Sequence, residues 1–171
     1  MIKIRRAKEA DTEVLALLAR VTWAESHGQY IDDKNNLLKY LDANFSVSKT
    51  KQDLNNPDNF FYIITVDDLP AGYVKLVANA LNESVGSRKS FQLERIFIQN
   101  EFIPLKIGQQ LLNFAQEKVK ELQFETMWLT VYIKNNRAIR FYEKNQFKNV
   151  GALNFVVNGI GYENIVFAKT V

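Results

Sequence analysis

The fold of this 171-residue chain is decided by residues 91–122, which read FQLERIFIQNEFIPLKIGQQLLNFAQEKVKEL. The first third is short, apolar and rich in β-forming residues, a pattern that predicts a buried strand. The last half repeats apolar residues at three- and four-residue intervals, which predicts an amphipathic helix. The stripe of this helix consists of Gly108, Leu111, Leu112, Ala115, Val119 and Leu122.

A short connection, residues 99–106, links the predicted strand to the first turn of the predicted helix. The N-terminus of a helix offers backbone N–H groups without intrahelical partners and the positive end of the helix dipole. Both features attract anions. The sequence therefore predicts that a phosphate-bearing ligand binds where this helix begins.

Composition limits the class of protein. The length fits one domain over residues 1–171, and 47% apolar with 12% aromatic residues supplies a core. A net charge of +3 is too small to predict nucleic-acid binding but tolerates an anionic ligand. The absence of cysteine excludes disulfides, thiolate metal sites and a thiol nucleophile.

The remaining exclusions concern location and metals. The N-terminus MIKIRRAK lacks the apolar core of a signal peptide, and no apolar run approaches the ~20 residues of a membrane span. We therefore expect a cytoplasmic protein that binds neither membrane nor nucleic acid. The single histidine has no cluster of ligands around it in the sequence, so no metal site is predicted.

The rest of the chain alternates strand and helix patterns. Strands are predicted over residues 2–6, 60–66, 71–77, 126–133, 147–157 and 162–168. Helices are predicted over residues 12–24 and 135–145, with two weaker helical patterns inside residues 26–59. This order predicts an α/β (α+β) domain with a mixed sheet.

The predicted helices before the first hairpin carry two further expectations. Asp11 is expected to cap the first of them. Its expected apolar face consists of Val14, Leu15, Leu17, Leu18 and Val21. The polar segment 26–59 includes one helical face with Leu37, Leu38 and Leu41 and a second pattern over residues 47–54. The segment is either a lid over a substrate cleft or a pair of ordinary surface helices.

Two signatures resemble the GNAT superfamily of acyl-CoA-dependent N-acetyltransferases. One is the strand–loop–helix segment LERIFIQNEFIPLKIGQQLL, and the other is the pattern N-x-x-A-x-x-x-Y-x-x-x-x-F, here Asn135, Ala138, Tyr142 and Phe147. With the runs AGYVK and LERIFI, the chain is most similar to the bacterial polyamine (spermidine/spermine) N-acetyltransferases. The resemblance implies a GNAT-like single domain with a central mixed, splayed β-sheet flanked by helices.

The resemblance also implies an acetyl-CoA-dependent N-acetyltransferase and assigns roles to its residues. The pantetheine arm would follow Ile96, Phe97 and Ile98, and the amide near Phe97 or Ile98 would face the thioester carbonyl. The residues expected at the diphosphate are Lys106, Ile107, Gly108 and Gln109, and Asn135 would reach the pantetheine amides. Tyr142 would protonate the departing thiolate, and Glu94 would act as the base or hold the amine.

Each of these residues also has an ordinary structural interpretation. Ile96 to Ile98 could simply be a buried strand, Glu94 could form an ion pair and Tyr142 could be a packed tyrosine. Asn135 is among the best helix N-caps, a role compatible with coenzyme binding. Arg140 and Lys144 could join Lys106 in a basic fringe for the phosphates or form a solvated face.

The chain departs from the phosphate loop of the family, which is commonly (Arg or Gln)-x-x-Gly-x-(Gly or Ala). Here the corresponding residues are Ile103, Pro104, Leu105, Lys106, Ile107 and Gly108. Our hypothesis is that the Lys106 ammonium substitutes for the missing glycine geometry. The second signature of the family usually ends in Gly-Phe and here reads Gln146-Phe147. Alternatives are a non-catalytic acyl-CoA-binding sensor that retains the fold and, more simply, a protein–protein interaction domain.

The acceptor is expected to be a primary amine, and four classes stay open: a polyamine, an amino acid, an aminoglycoside-like compound and a protein N-terminus. Without cysteine, direct attack in a ternary complex is favoured. Residues that could line the acceptor side are Trp23, Glu25 and Tyr30, and carboxylates that could hold a polyamine are Glu25, Asp32, Asp33 and Glu83. His27 is expected to be a polar loop residue. A homodimer is an open expectation.

Overall fold

The computed structural model describes residues 1–171, which contain five helices and seven strands. The helices are α1 (Thr12–His27), α2 (Lys34–Phe45), α3 (Val47–Asn55), α4 (Ile107–Glu121) and α5 (Asn136–Lys144). The strands are β1 (Ile2–Arg6), β2 (Asn59–Val66), β3 (Leu69–Ala78), β4 (Ser90–Ile98), β5 (Thr126–Tyr132), β6 (Lys148–Val157) and β7 (Ile160–Thr170). Every predicted element is present, with ends that differ by at most a few residues.

The strands form one mixed sheet in the order β1-β2-β3-β4-β5-β7-β6, which confirms the predicted fold class. β4 and β5 are parallel, whereas β1–β2, β5–β7 and β6–β7 are antiparallel. The parallel ladder has only three pairs, from Ser90 with Thr126 to Gln92 with Trp128. Because β4 continues to Ile98, its second half extends beyond this ladder, as expected of a splayed sheet.

The chain divides into two compact units. The first contains Met1–Leu76 and Arg95–Phe114, and the second contains Val77–Glu94 and Ala115–Val171. The largest fully buried side chains of the first unit are Leu15, Phe45, Ile63, Ile64, Tyr73, Leu76, Ile107, Leu111 and Leu112. Those of the second are Phe91, Met127 and Phe167. The expectation of one domain over residues 1–171 stays a prediction.

The turn between β2 and β3 is tighter than the sequence predicts. Asp67 and Asp68 both have positive φ, 48° and 65°. Two adjacent left-handed residues make a two-residue hairpin turn whose twist matches that of the strands. β3 therefore begins at Leu69 and includes Pro70, which is tolerated near the start of a strand.

The first helix differs from its prediction in two ways. Asp11 stands at the N-cap position, but its carboxylate binds the Arg5 guanidinium through two 2.7 Å contacts and makes no cap hydrogen bond to α1. The expected apolar face was also partly wrong, because Val14, Leu17 and Val21 are exposed. The buried face consists of Leu15, Ala16, Leu18, Ala19, Thr22 and Trp23.

Side-chain size explains which face of α1 is buried. Ala16 and Ala19 are small enough for close approach, and Trp23 fills the space at the end of the same stripe. A second apolar stripe at similar spacing remains on the opposite side, and periodicity alone does not rank the two. In α4 the predicted stripe is buried as far as Val119, whereas Leu122 lies beyond the helix and is exposed.

We predict that Gly72→Ala destabilises the first unit. A Cβ at this position would lie 2.4 Å from the Phe97 carbonyl oxygen and 3.1 Å from the Ile98 Cα, so the backbone of β4 would have to move. We expect a loss of about 1–3 kcal/mol in the free energy of unfolding, measured by urea denaturation. Gly108→Ala is the matched control, because its Cβ would meet only Ile98 Cγ1 at 3.6 Å. Equal stability of the two variants would contradict this account.

Candidate active site

The connection between β4 and α4 is fixed by hydrogen bonds at its start. The Gln99 backbone N–H donates to the Ala71 carbonyl at 2.9 Å, and its side-chain amide donates to the Pro70 carbonyl at 2.8 Å. The Asn100 N–H donates to the Glu25 carboxylate at 3.0 Å. These bonds attach the end of β4 to β3 and to the last turn of α1.

The connection ends in a left-handed residue. A 3-10 helix over Asn100–Leu105 leads to Lys106, which has φ 55° and ψ 23° and whose N–H donates to the Ile103 carbonyl at 3.0 Å. A left-handed lysine costs about 1–2 kcal/mol relative to the ordinary helical conformation. Its side chain is exposed. The chain therefore accepts strain here in order to begin α4 immediately at Ile107.

The predicted phosphate-binding amides lie in the first turn of the 15-residue helix α4. Ile107 is fully buried and fixes the helix start, and Gly108 is partly exposed beside Ile98. Gln109 has hydrogen-bond partners within the chain, and its predicted role at the phosphate stays a prediction. Its N–H donates to the Lys106 carbonyl at 3.2 Å, and its side-chain amide donates to Asn113 at 2.9 Å.

The second half of β4 carries the residues predicted for the pantetheine arm. Ile96, Phe97 and Ile98 are half-buried, whereas Ser90 and Phe91 at the start of the strand are buried. Burial therefore decreases along β4 near the end of the parallel ladder at Gln92. A strand that extends past its partner has backbone groups available for another extended molecule.

Tyr142 lies on α5 in the second unit and is 7% exposed. Its ring contacts Phe141, Phe147 and Phe167 at centroid distances of 5.3, 5.6 and 6.4 Å. Burial raises the pKa of the phenol above its ordinary value, and no charged or hydrogen-bonded partner contributes to this shift. The hydroxyl therefore keeps its proton at neutral pH, as a general acid requires.

The end of β5 and the start of α5 are organised by Asn135. Its side chain accepts a hydrogen bond from the Ala138 N–H at 3.1 Å, so the predicted N-cap role is confirmed. Its predicted role at the coenzyme stays a prediction. Glu94 is half-buried on β4, and Arg140 and Lys144 are exposed on α5. Their predicted roles remain open as well.

An aromatic cluster of the first unit surrounds the end of α1. Trp23 stacks on His27 at a centroid distance of 4.8 Å and an interplanar angle of 16°. It also contacts Tyr40 at 4.4 Å and Phe45 at 6.1 Å. The His27 ring meets the Phe97 ring edge-on at 5.6 Å and 76°. Sequence reasoning missed Tyr40 and Phe45, whose separation from Trp23 along the chain gives no signal.

His27 corrects a prediction, because it is the last residue of α1 and not a polar loop residue. The Nδ1 atom is buried without a hydrogen-bond partner. Burial lowers the pKa of the imidazole to about 4, and the Trp23 carbonyl opposes this shift. The imidazole is therefore neutral at physiological pH.

Two of the four carboxylates proposed for a polyamine have local backbone partners. Glu25 accepts from the Asn100 N–H, and Asp33 caps α2 by accepting from the Asn35 N–H at 2.8 Å. Asp32 and Glu83 are exposed. No group of three or more His, Asp or Glu side chains is arranged to hold a metal ion, and none of the helices is long and apolar enough to span a membrane.

Comparison with known proteins assigns the chain to a family. The model of the acetyltransferase (GNAT) family matches residues 21–147. The chain belongs to the acetyltransferase (GNAT) family. Enzymes of this family use acetyl-CoA, so the predicted enzyme class and co-substrate are confirmed at the level of the family.

Two sequence relatives and two structures add detail to the GNAT assignment. An N-acetyltransferase in the pepI 3' region of Lactobacillus delbrueckii subsp. lactis is 32% identical over 142 residues, 82% of this chain and 81% of the relative. A spermidine N(1)-acetyltransferase from Thermoplasma acidophilum is 26% identical over 153 residues, which cover 86% of this chain and 88% of the relative. The PaiA N-acetyltransferase of T. acidophilum in complex with coenzyme A superposes with TM-score 0.77 at 22% identity, over 100% and 99% of the chains. A probable acetyltransferase of Staphylococcus epidermidis superposes with TM-score 0.76 at 19% identity, over 100% of this chain and 99% of that chain. Both structural likenesses show the fold.

Both departures from the GNAT signatures keep a left-handed backbone without glycine. Lys106 stands where the phosphate loop of the family commonly has glycine and has φ 55°. Gln146 stands where the second signature usually has glycine and has φ 67°. Both positions therefore have the left-handed conformation that glycine adopts without steric cost.

The buried imidazole predicts a pH-dependent contribution to stability. Because the pKa of His27 falls from 6.5 to about 4 on folding, the unfolded chain binds a proton that the folded chain does not between these pH values. This contribution is fully present above pH 6.5 and falls by up to about 3 kcal/mol as the pH drops to about 4. We expect His27→Phe to gain stability relative to the unsubstituted protein between pH 7 and pH 4.5 in urea titrations. If the free energy of unfolding depends on pH in the same way for both proteins, the assignment of a neutral, buried imidazole is wrong.

Proposed function

We propose that this GNAT protein transfers an acetyl group from acetyl-CoA to a primary amine of a small molecule by direct attack in a ternary complex. The observation that carries the proposal is the left-handed turn at Lys106, which begins α4 directly after the half-buried end of β4. We further propose that residues 1–171 act as one cytoplasmic acetyltransferase domain without nucleic-acid or membrane partners, and that this domain assembles as a homodimer.

In this proposal the diphosphate of the coenzyme lies on the amides of Ile107 and Gly108, and the Lys106 ammonium neutralises part of its charge. The pantetheine arm follows Ile96 to Ile98, and Asn135 contributes a polar contact to its amides. The amide of Phe97 or Ile98 faces the thioester carbonyl. A donor of this kind stabilises the oxyanion of the tetrahedral intermediate, and comparable donors contribute roughly 3–4 kcal/mol.

The reaction then requires one group that holds or deprotonates the amine and one group that protonates the departing sulfur. The amine nitrogen attacks the acetyl carbonyl carbon, and Glu94 holds the amine or accepts its proton. As the carbon–sulfur bond breaks, the Tyr142 hydroxyl donates its proton to the thiolate. Burial of Tyr142 keeps the phenol protonated until the thiolate forms, and it also makes the phenol a weaker acid.

The acceptor class rests on the relatives. The chain is 26% identical to a spermidine N(1)-acetyltransferase and superposes on PaiA bound to coenzyme A. The likeness to the spermidine N(1)-acetyltransferase supports a polyamine as the first acceptor to test. The local hydrogen bonds of Glu25 and Asp33 leave fewer carboxylates for a polycation, so other small primary amines belong in the same screen.

The second candidate is an acyl-CoA-binding sensor that retains the fold without turnover. The observation that favours it is the altered loop, in which Pro104 has no N–H and Lys106 replaces a common glycine. Tight coenzyme binding without acetyl transfer to any amine class would support this alternative.

We predict that Tyr142→Phe separates binding from chemistry. Because the variant keeps the ring that packs against Phe147 and Phe167, we expect coenzyme A affinity by isothermal titration calorimetry to stay within about twofold. Loss of the proton donor is expected to lower kcat by about 10²-fold or more, measured as thiol release with spermidine and a panel of primary amines. Unchanged kcat in the variant would remove Tyr142 from the mechanism, and absence of coenzyme binding by the unsubstituted protein would reject the proposed function.

We predict that the charge at position 106 matters more than its backbone freedom. Lys106→Gly and Lys106→Asn both tolerate the left-handed conformation and remove the ammonium, so we expect coenzyme A affinity to fall by about 3–10-fold in 0.15 M salt. Lys106→Arg is the matched control that keeps the charge and is expected to bind within about twofold. If Lys106→Gly binds coenzyme A at least as tightly as the unsubstituted protein, the charge hypothesis is wrong.

A further inference from the structure

Two contacts attach the last turn of α1 to the end of β4. The His27 ring meets Phe97 edge-on at 5.6 Å, and the Glu25 carboxylate accepts the Asn100 N–H at 3.0 Å. Both contacts lie within the first unit. They place the only histidine of the chain beside the strand residue whose amide is proposed to face the thioester.

The imidazole is also held in one orientation. One face stacks on Trp23, which is 5% exposed and is itself packed against Tyr40 and Phe45. A ring held between Trp23 and Phe97 has little rotational freedom, so a group it contacts would be positioned without further ordering. A surface histidine at the end of a helix would have neither contact.

The surroundings of the ring keep it uncharged. On α1 the nearby carboxylate is Glu25, which binds the Asn100 N–H, and on β4 the Arg95 guanidinium lies over the Phe45 ring at 4.8 Å. The Trp23 and Phe97 rings, which carry no charge, pack against the imidazole. Consistent with this, the pKa of His27 is lowered to about 4 by burial. A neutral imidazole has one N–H donor and one nitrogen lone pair.

The two nitrogens differ in their surroundings. Nδ1 is buried and has no hydrogen-bond partner, although the residue as a whole is only half-buried. With the proton on Nδ1, the lone pair lies on Nε2, the nitrogen on the other edge of the ring.

We propose that His27 is a catalytic residue that binds the acceptor amine through Nε2 and takes its proton as the new carbon–nitrogen bond forms. This inference rests on the proposed function and gives Glu94 the role of holding the amine. The amine lone pair forms the bond to the acetyl carbon, and the carbon–sulfur bond breaks with its electron pair going to sulfur. One N–H proton passes to Nε2 and then to solvent, while sulfur is protonated separately.

A weakly basic imidazole suits this step. Once the amine nitrogen has attacked the carbonyl carbon it carries a positive charge, and its N–H is far more acidic than that of the free ammonium. A neutral acceptor in fixed orientation therefore has a driving force for proton transfer, and its neutrality avoids repulsion of a cationic substrate.

The alternative is that His27 only fills space in the aromatic cluster, and His27→Phe distinguishes the two. The phenyl ring keeps the stack on Trp23 and the edge contact to Phe97 but has no lone pair. We expect unchanged coenzyme A affinity and an unchanged or higher Tm. We expect kcat/KM for the amine to fall by about 10²-fold, with its pH profile displaced toward the pKa of the free amine. Turnover within twofold of the unsubstituted protein would overturn the proposal.

A second measurement does not depend on turnover. Since the chain has one histidine, a ¹⁵N-labelled sample gives one imidazole spin system, whose shifts report tautomer and protonation directly. We expect an Nδ1–H neutral ring from pH 5.5 to 8 and a shift of Nε2 when spermidine or phenethylamine is added to the coenzyme A complex. A ring that titrates near pH 6.5, or an Nε2 signal unmoved by both amines, would overturn the proposal. Failure of coenzyme A to bind, seen by calorimetry, would instead reject the proposed function.

Discussion

The close approach of β3 to β4 at Gly72 is the constraint on which the proposed site depends. With no Cβ at this position, the Phe97 carbonyl and the Ile98 backbone lie directly against β3. The bonds of Gln99 to Ala71 and Pro70 continue this attachment past the end of the strand. The end of β4 is thereby fixed before the chain enters the loop, so the start of α4 and the last turn of α1 have a rigid reference.

Two of the non-glycine residues with a left-handed backbone stand at positions where the family commonly uses glycine. Lys106 and Gln146 each adopt this conformation at a small energetic cost. At Lys106 the side chain adds a positive charge next to the helix N-terminus. Backbone geometry and side-chain charge are separable in principle, and this chain combines both at one residue.

Burial acts in opposite directions on the two groups assigned to proton transfer. Desolvation disfavours whichever form is charged, so it raises the pKa of the Tyr142 phenol and lowers that of the His27 imidazole. Each group is therefore neutral at physiological pH, one with a proton to give and the other with a lone pair. A single physical effect prepares an acid and a base without any charged partner.

The sequence by itself determined the features that depend on neighbouring residues. These include the order of strands and helices, the Asn135 cap and the family signatures around Gly108 and Tyr142, since periodicity, capping and motif spacing are local properties. The tertiary structure alone decided which of two apolar stripes of α1 is buried and that the Asp11 carboxylate binds Arg5. It also decided that α1 continues to His27 and brings its ring against Phe97. These outcomes depend on packing between residues distant along the chain, where shape and the exclusion of water select among arrangements that local patterns leave equivalent.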